Sequence, residues 1–228
     1  MKILYLETSS KNCSVAISDD ENLLCLTEEV SENYKQSESL HTFVEWALEG
    51  AGISIKDIEA VSLGKGPGSY TGLRIGASSA KGFCYGLKVP LIAVNSMESM
   101  IEPFLGKNYD LVIPLIDARR MEVYTASYDG KTGDEMSLTE AKILDEYSFG
   151  ELKDKKVLFI GDGAEKAKEV LQLPNAEFNK DVYPSARYLI QRTIKKIHDK
   201  EFEDIAYFEP FYLKGFHGVK KNKSSDSI

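Results

Sequence analysis

Three stretches of this 228-residue chain carry residues that could do chemistry: Glu7-Thr8-Ser9, the run Gly64-Lys65-Gly66-Pro67-Gly68-Ser69, and Gly161-Asp162-Gly163. A fourth point is Asp117, which closes an apolar run. A glycine turn between a strand and a helix either offers backbone N–H groups to an anion or lets two backbones approach closely. Spacing alone allows a phosphate site built from Glu7, Ser9, Gly66, Gly68, Asp117, Gly161 and Gly163. The motifs argue for a vestigial one. No G-K-[S/T] follows the four-residue spacer that a P-loop requires, and after Gly64 and Gly66 the third position of G-x-G-x-x-G holds Ser69. The first loop offers a carboxylate and no glycine, and the residues after Asp117 are the bulky Ala118-Arg119-Arg120-Met121. Phosphate held close to a backbone usually needs glycines.

Other chemistries find less support. His41, His198 and His217 show no metal-ligand spacing, and there is no C-x-x-C. No G-x-S-x-G elbow exists, and Ser69 has no His near it in sequence, so a helix-capping role is expected of it. No cofactor is expected. Net charge is −8, and residues 1–100 are acidic on their own, whereas a chain that grips nucleic acid by itself usually shows a basic face. The one basic cluster is Lys214, Lys220, Lys221 and Lys223, read as a solvated, disordered tail over 214–228. Three scattered cysteines, Cys13, Cys25 and Cys84, fit reduced thiols and a cytoplasmic location. No apolar run reaches bilayer length, so no membrane partner is expected.

The elements that must position these residues follow from periodicity. Ile3–Leu6, Cys13–Ser18 and Leu23–Val30 read as a three-strand meander, with Asp19-Asp20-Glu21-Asn22 as turn chemistry. Leu40, Phe43, Val44, Ala47 and Leu48 make one helical stripe, with Ser37 as N-cap and Gly50 and Gly52 at its end. Trp46 falls off the stripe, either packed under a neighbouring loop or free to anchor a partner. Ile58–Leu63 is a strand feeding the glycine turn and a helix to Leu87, followed by a strand at Leu91–Val94 and a helix at Ser96–Phe104. Pro103, Gly106, Lys107 and Asn108 mark a boundary between a lobe at 1–104 and one at 105–228. The second half restarts the pattern with a strand at Leu111–Ile116, strands at Met121–Tyr128 and Met136–Leu144, and Val157–Ile160 leading into a helix ending near Leu171. Another helix is expected to start at Pro184, and Phe208–Leu213 to dock on the body. The architecture implied is a duplicated α/β fold with a cleft between lobes.

The helix after the glycine turn has two unlike sides. Leu73, Ala77, Ala80, Cys84 and Leu87 form the seam for the sheet. Thr71, Ile75, Ser78, Ser79, Gly82 and Gly86 lie opposite, small and nearly uncharged, with Ile75 taken as exposed. Glycine costs about 1 kcal/mol relative to Ala inside a helix. Gly72, Gly76, Gly82 and Gly86 therefore each call for a close neighbour, and the helix is expected to be buried on both sides.

On these residues the chain resembles the TsaB (YeaZ) family over nearly its whole length. The most specific part is Gly64-x-Gly66-Pro67-Gly68-Ser69-Tyr70-Thr71-Gly72-Leu73-Arg74-Ile75-Gly76. Supporting it are Ile3-Leu4-x-Leu6-Glu7-Thr8-Ser9, the run Ile116-Asp117-Ala118-Arg119-Arg120-Met121-Glu122-Val123-Tyr124, Gly161-Asp162-Gly163-Ala164 and Pro210-Phe211-Tyr212-Leu213-Lys214. Glu7 stands where the family often has Asp, and Ser37-Glu38-Ser39-Leu40 departs from its usual first-helix pattern.

The resemblance implies a duplicated actin/Hsp70/sugar-kinase-like fold, each lobe a mixed sheet flanked by helices. It implies a non-catalytic subunit that pairs with TsaD through the first-lobe helices, at Thr42, Trp46, Thr71, Ile75, Ser78, Ser79, Gly82 and Gly86. It further implies assembly with the TsaE ATPase, and contact with tRNA only through that complex, which forms N6-threonylcarbamoyladenosine beside the anticodon of tRNAs reading codons that begin with A. The TsaD-like Val-Asn-His-x-Glu-x-His stretch corresponds here to Val94-Asn95-Ser96-Met97-Glu98-Ser99-Met100. A hydroxyl and a thioether stand at the two imidazole positions and cannot replace them on a hard or borderline metal. The competing readings are an ATPase of the same fold class and a homodimer through the same helix face.

Overall fold

The computed structural model describes residues 1–31 and 36–213. The side chain of Ser37, expected as an N-cap, and the 214–228 tail lie outside the described residues. Lys2–Glu7 (β1), Asn12–Asp19 (β2) and Asn22–Val30 (β3) form the meander that the alternation predicts. β1 is antiparallel to β2 and parallel to Ala60–Gly64 (β4), which pairs in parallel with Leu91–Val94 (β5). The sheet order is β3-β2-β1-β4-β5.

The second half repeats that plan. Its strands are Leu111–Asp117 (β6), Glu122–Thr125 (β7), Tyr128–Asp129 (β8), Glu140–Ile143 (β9), Val157–Ile160 (β10) and Ala176–Asn179 (β11). The order β11-β10-β6-β7-β9 again puts the lobe's first strand at the centre, antiparallel on one side and parallel on the other. This is the duplicated actin/Hsp70/sugar-kinase-like fold, each lobe's central strand ending on an acid, Glu7 or Asp117.

Three expectations are corrected. The strand expected over 121–128 is cut into β7 and β8: pairing holds at Leu115–Thr125, lapses, and resumes in the same register at Val112–Tyr128. Pro114 lies in the gap and has no N–H to donate. Pro184 does not open a helix; Ser185 stays extended, a 3₁₀ turn runs Ala186–Leu189, and a helix (α5) occupies Ile190–His198. The strand expected over 136–144 shortens to β9. β11 leaves little trace in sequence because only two of its four residues, Ala176 and Phe178, are apolar.

The helices stack around the two sheets in layers. Gln36–Ala51 (α1) and Tyr70–Leu87 (α2) cover one face of the first sheet, where Phe43, Val44, Ala77, Ala80 and Cys84 meet Leu4, Leu6, Val15, Val61 and Leu63. The opposite face, with Ile3, Tyr5, Ala16, Ile92 and Val94, receives Ala186, Leu189 and Ile190. Ser96–Ile101 (α3) sits on Val112, Ile116, Leu158 and Ile160 of the second sheet and also touches the 186–189 turn. Ala164–Val170 (α4) covers that sheet's far face. The 186–198 region thus follows the second sheet in sequence but packs on the first. Arg192 ties the layers together: it pairs with Glu98 at 3.7 Å and Glu102 at 3.8 Å, and donates to the Gly133 carbonyl at 3.1 Å. Among the described residues no helix is long and apolar enough to cross a membrane.

Candidate docking face and cleft loops

Glu7 ends β1 fully buried. Its Oε1 accepts from the Ser9 N–H at 2.8 Å and its Oε2 from the Ser96 hydroxyl at 2.8 Å. The Ser96 oxygen in turn accepts the Gly66 N–H at 3.1 Å. Burial pushes the Glu7 carboxyl above the usual carboxylate range, and the hydrogen bonds from Ser9 and Ser96 oppose that shift. Further along the turn, Ser69 donates its N–H to the Ser9 carbonyl at 2.6 Å, and a Cβ on Gly68 would fall 2.2 Å from that oxygen. Gly66 has a φ of +99°, a conformation that favours glycine. Glu7, Ser9, Gly66 and Gly68 are thus brought together as the spacing implied. Two of the turn's N–H groups point inward, and the glycines serve close packing between chain segments. Ser96, which joins all of this, was noted in sequence only as a missing imidazole.

The second lobe gathers Asp117, Gly161 and Gly163. Asp117 accepts from Lys166 Nζ at 2.7 Å, and its N–H donates to Asp162 at 2.8 Å. Desolvation raises the Asp162 carboxyl above its ordinary range, and the neighbouring Asp117 charge adds to the shift. A Cβ on Gly161 would stand 2.6 Å from the Leu115 carbonyl and 2.7 Å from the Met100 methyl. A Cβ on Gly163 would meet Val123 at 2.8 Å. Ser96 and Met100, at the positions compared with the two histidines, are buried and committed to internal contacts.

The outward side of the first lobe is different. Ser69 caps α2 as expected, accepting the Gly72 N–H through its hydroxyl. The four α2 glycines separate into two kinds. A Cβ on Gly72 would come 2.0 Å from the Thr8 carbonyl, and one on Gly76 2.4 Å from the Thr8 hydroxyl, so their close neighbour is the chain's own first loop. Among the described residues, Gly82 and Gly86 have nothing within 4 Å of the corresponding position. Thr71, Ser78, Gly82 and Gly86 are exposed. Ile75, expected to be exposed, is instead half-buried and packs onto the core beneath α2. Ser79 is also half-buried and meets His41 Nε2 of α1 at 3.4 Å, while Phe83 packs against the His41 ring. Trp46 stacks on Phe43 with ring centroids 5.7 Å apart yet remains 54% exposed. With Thr42 and Phe43 it lines a groove of about 600 Å³ between α1 and β3.

One residue of this face was passed over in sequence. Tyr85 is 83% exposed and stands between Gly82 and Gly86. Its position seven residues after Ser78 was the available signal. At the start of α2 the segment 208–213 docks as expected: the Phe211 N–H donates to the Lys65 carbonyl at 2.8 Å, and Tyr212 packs on Tyr70 at 5.0 Å.

Comparison with known proteins agrees with this geometry. A family model described as "TsaD: tRNA N6-adenosine threonylcarbamoyltransferase" matches residues 28–208. The TsaB protein of Bacillus subtilis, named a tRNA threonylcarbamoyladenosine biosynthesis protein, is 30% identical over 75% of this chain and 76% of its own length. The TsaB of Buchnera aphidicola from Acyrthosiphon pisum is 31% identical over 87% of this chain and 90% of that relative. The solved structure of YeaZ from Pseudomonas aeruginosa superposes with a TM-score of 0.76 at 24% identity, over 93% of this chain and 99% of that one, and shows the same fold. The two-lobed topology, the glycine turn packed on Glu7 and these matches together place the chain in the TsaB (YeaZ) family.

Proposed function

We propose that this chain serves the formation of N6-threonylcarbamoyladenosine in tRNA as a non-catalytic subunit that pairs with a TsaD-type transferase through α1 and α2. The observation that carries the reading is the outer face of α2. Thr71, Ser78, Gly82 and Gly86 are small and exposed around Tyr85, and among the described residues Gly82 and Gly86 have no neighbour within 4 Å to account for them. A face of this shape lets a partner helix approach closely, with the aromatic ring as its anchor. Trp46, Thr42 and the Ser79–His41 contact extend it across α1. The absence of chemistry of its own is supported by Glu7 and Ser96, which are spent on each other, and by Met100 packed under Gly161. In this reading a TsaE-type ATPase joins only the assembled pair.

The test is association. The wild-type chain, mixed with a TsaD-type partner, should elute as one species with the summed mass by light scattering. Gly82→Arg and Tyr85→Ala should each melt at a temperature close to wild type and elute apart from the partner. If both variants still pair at wild-type affinity, the face is misassigned.

A further inference from the structure

One edge of the second sheet is open. β9 ends the strand order and, among the described residues, pairs with β7 alone. The hydrogen-bond pattern fixes which groups face outward. The Leu144 N–H donates to the Met121 carbonyl, and hydrogen-bonded pairs alternate with non-bonded ones along an antiparallel ladder. Ala141 and Ile143 therefore turn their N–H and C=O groups away from β7. Ser148 reaches the Ile143 carbonyl at 3.5 Å, which leaves Ala141 as the outward-facing backbone at mid-strand. Apolar side chains collect at both ends of this edge. Met136 and Leu138 precede it, Ile143 and Tyr147 stand at its end and just beyond, and all four are 61–83% exposed. A protruding lysine is a common way to blunt an open edge. Here Lys142 does not protrude: Glu140 holds it at 2.7 Å, and it lies 5.0 Å from the centroid of the Phe149 ring.

The order of residues along the edge indicates its occupant. When two copies of β9 pair antiparallel with Ala141 on the twofold axis, the two Ala141 residues exchange the hydrogen bonds that β7 leaves unused. In that register Glu140 of each copy lies opposite Lys142 of the other, in a non-hydrogen-bonded pair, where side chains approach most closely. Glu140-Ala141-Lys142 is thus complementary in charge to itself read backwards. The antiparallel arrangement also sets the end of one strand beside the start of the other, so the apolar groups at 143 and 147 of one copy meet those at 136 and 138 of the second. An edge of uniform charge would call for a partner of the opposite sign; an acid and a base flanking a small residue are matched by a second copy of themselves. We propose that β9 is a self-pairing edge through which two copies of this chain join their second sheets. The two surfaces do not overlap: β9 belongs to the second sheet, whereas α1 and α2 pack on the first. The edge is short, so association falls in about the micromolar range.

The experiment is sedimentation equilibrium of the full chain from about 5 to 500 μM, where the wild-type mass should rise from one chain toward two. Ala141→Pro gives up only an outward N–H, which an edge strand tolerates, so its melting temperature should stay near wild type and its mass at one chain throughout. A charge exchange supplies the second test. Glu140→Lys and Lys142→Glu each set like charges opposite one another in a self-pair, and each variant should remain single. Mixed in equal amounts they should recover pairing, because each strand then meets one of opposite charge, a result that a general loss of structure cannot give. The proposal is overturned by a wild-type chain that stays single across the range, by a folded Ala141→Pro chain or single charge variants that pair as wild type does, or by a mixture that stays single. Gly82→Arg separates this edge from the α2 face. It should leave self-pairing unchanged while abolishing association with a TsaD-type partner. If it abolishes self-pairing, the copies join through α2 and the proposal falls; if it leaves the TsaD-type association intact, only the docking reading falls.

Discussion

Gly64 and Glu7 end two parallel neighbouring strands, and a Cβ on Gly64 would stand 1.9 Å from Glu7 Oε2. The carboxylate cannot swing aside, because Ser9 and Ser96 hold both of its oxygens. Gly64→Ala should therefore destabilise the chain by about 2–3 kcal/mol in urea unfolding. A double-mutant cycle with Glu7→Ala should return a large part of that loss, since the clash partner is then gone. An additive cycle would mean that the strain lies elsewhere.

Glu7, Glu98 and Asp162 all have carboxyls raised by burial. A carboxyl whose folded pKa exceeds its unfolded value takes up protons on folding. Its contribution therefore falls as pH rises from about 4 through the raised value, and is level above it. Glu7→Gln removes one such group; its amide oxygen still accepts the Ser9 N–H, while its amide N–H₂ donates to Ser96 Oγ in place of the bond the Ser96 hydroxyl gave. The urea midpoint of this variant should fall less steeply than wild type as pH is raised from about 4, with Glu98 and Asp162 contributing to the remaining slope. An unchanged slope would show that Glu7 is not the titrating group.

The two kinds of α2 glycine should respond oppositely to the same methyl group. Gly76→Ala forces a Cβ to 2.4 Å from the Thr8 hydroxyl and should destabilise by about 1–3 kcal/mol. Gly82→Ala meets nothing within 4 Å and should stabilise the free chain by about 0.5–1 kcal/mol through helix propensity and reduced unfolded-state entropy. The same Gly82→Ala chain should pair less tightly with a TsaD-type partner. Thermal unfolding and a binding titration on both variants check this; equal stability changes would erase the distinction.

Arg192→Ala would leave Glu98 half-desolvated without its main counter-charge and strip the Gly133 carbonyl of its donor. A loss of about 2–3 kcal/mol is expected in urea unfolding. Because Glu98 would then be raised further, the loss should be larger at pH 8 than at pH 5. A loss independent of pH would mean that packing of the Arg192 stem, not its charge, dominates.

Most of the fold was legible from periodicity. The alternation over Cys13–Ser18 became β2, which is buried on both faces: Cys13, Val15 and Ile17 pack under α1 and α2, while Ser14 and Ser18 on the other face are buried in hydrogen bonds with the Ala186 N–H and the Tyr5 hydroxyl. The runs at Ile58–Leu63 and Val157–Ile160 became β4 and β10 because a doubly covered strand is largely apolar. The misreadings have local causes. Pro114 on the partner strand broke a ladder that the residues of β7 and β8 could not reveal, and β11 is too short and polar to register. Of the proposed docking face, Thr71, Ser78, Gly82 and Gly86 are exposed on the side of α2 where helical spacing placed them, because one face of a helix is fixed by sequence once its seam is known. Ile75 was misjudged by its place at the edge of that face, where the curvature of the packing decides burial.

The sequence by itself determined most of the strands and the two long helices, that the pattern occurs twice, and which side of α2 is made of small residues, since these depend on period and residue type within one element. The tertiary structure alone decided what the glycines are for. Gly64, Gly68, Gly72 and Gly76 are spent on Glu7, Thr8 and Ser9, more than fifty residues away in the chain, whereas Gly82 and Gly86 meet nothing among the described residues. The physical reason is that a missing Cβ is defined by what approaches it, and that approach is a property of two segments brought together by folding.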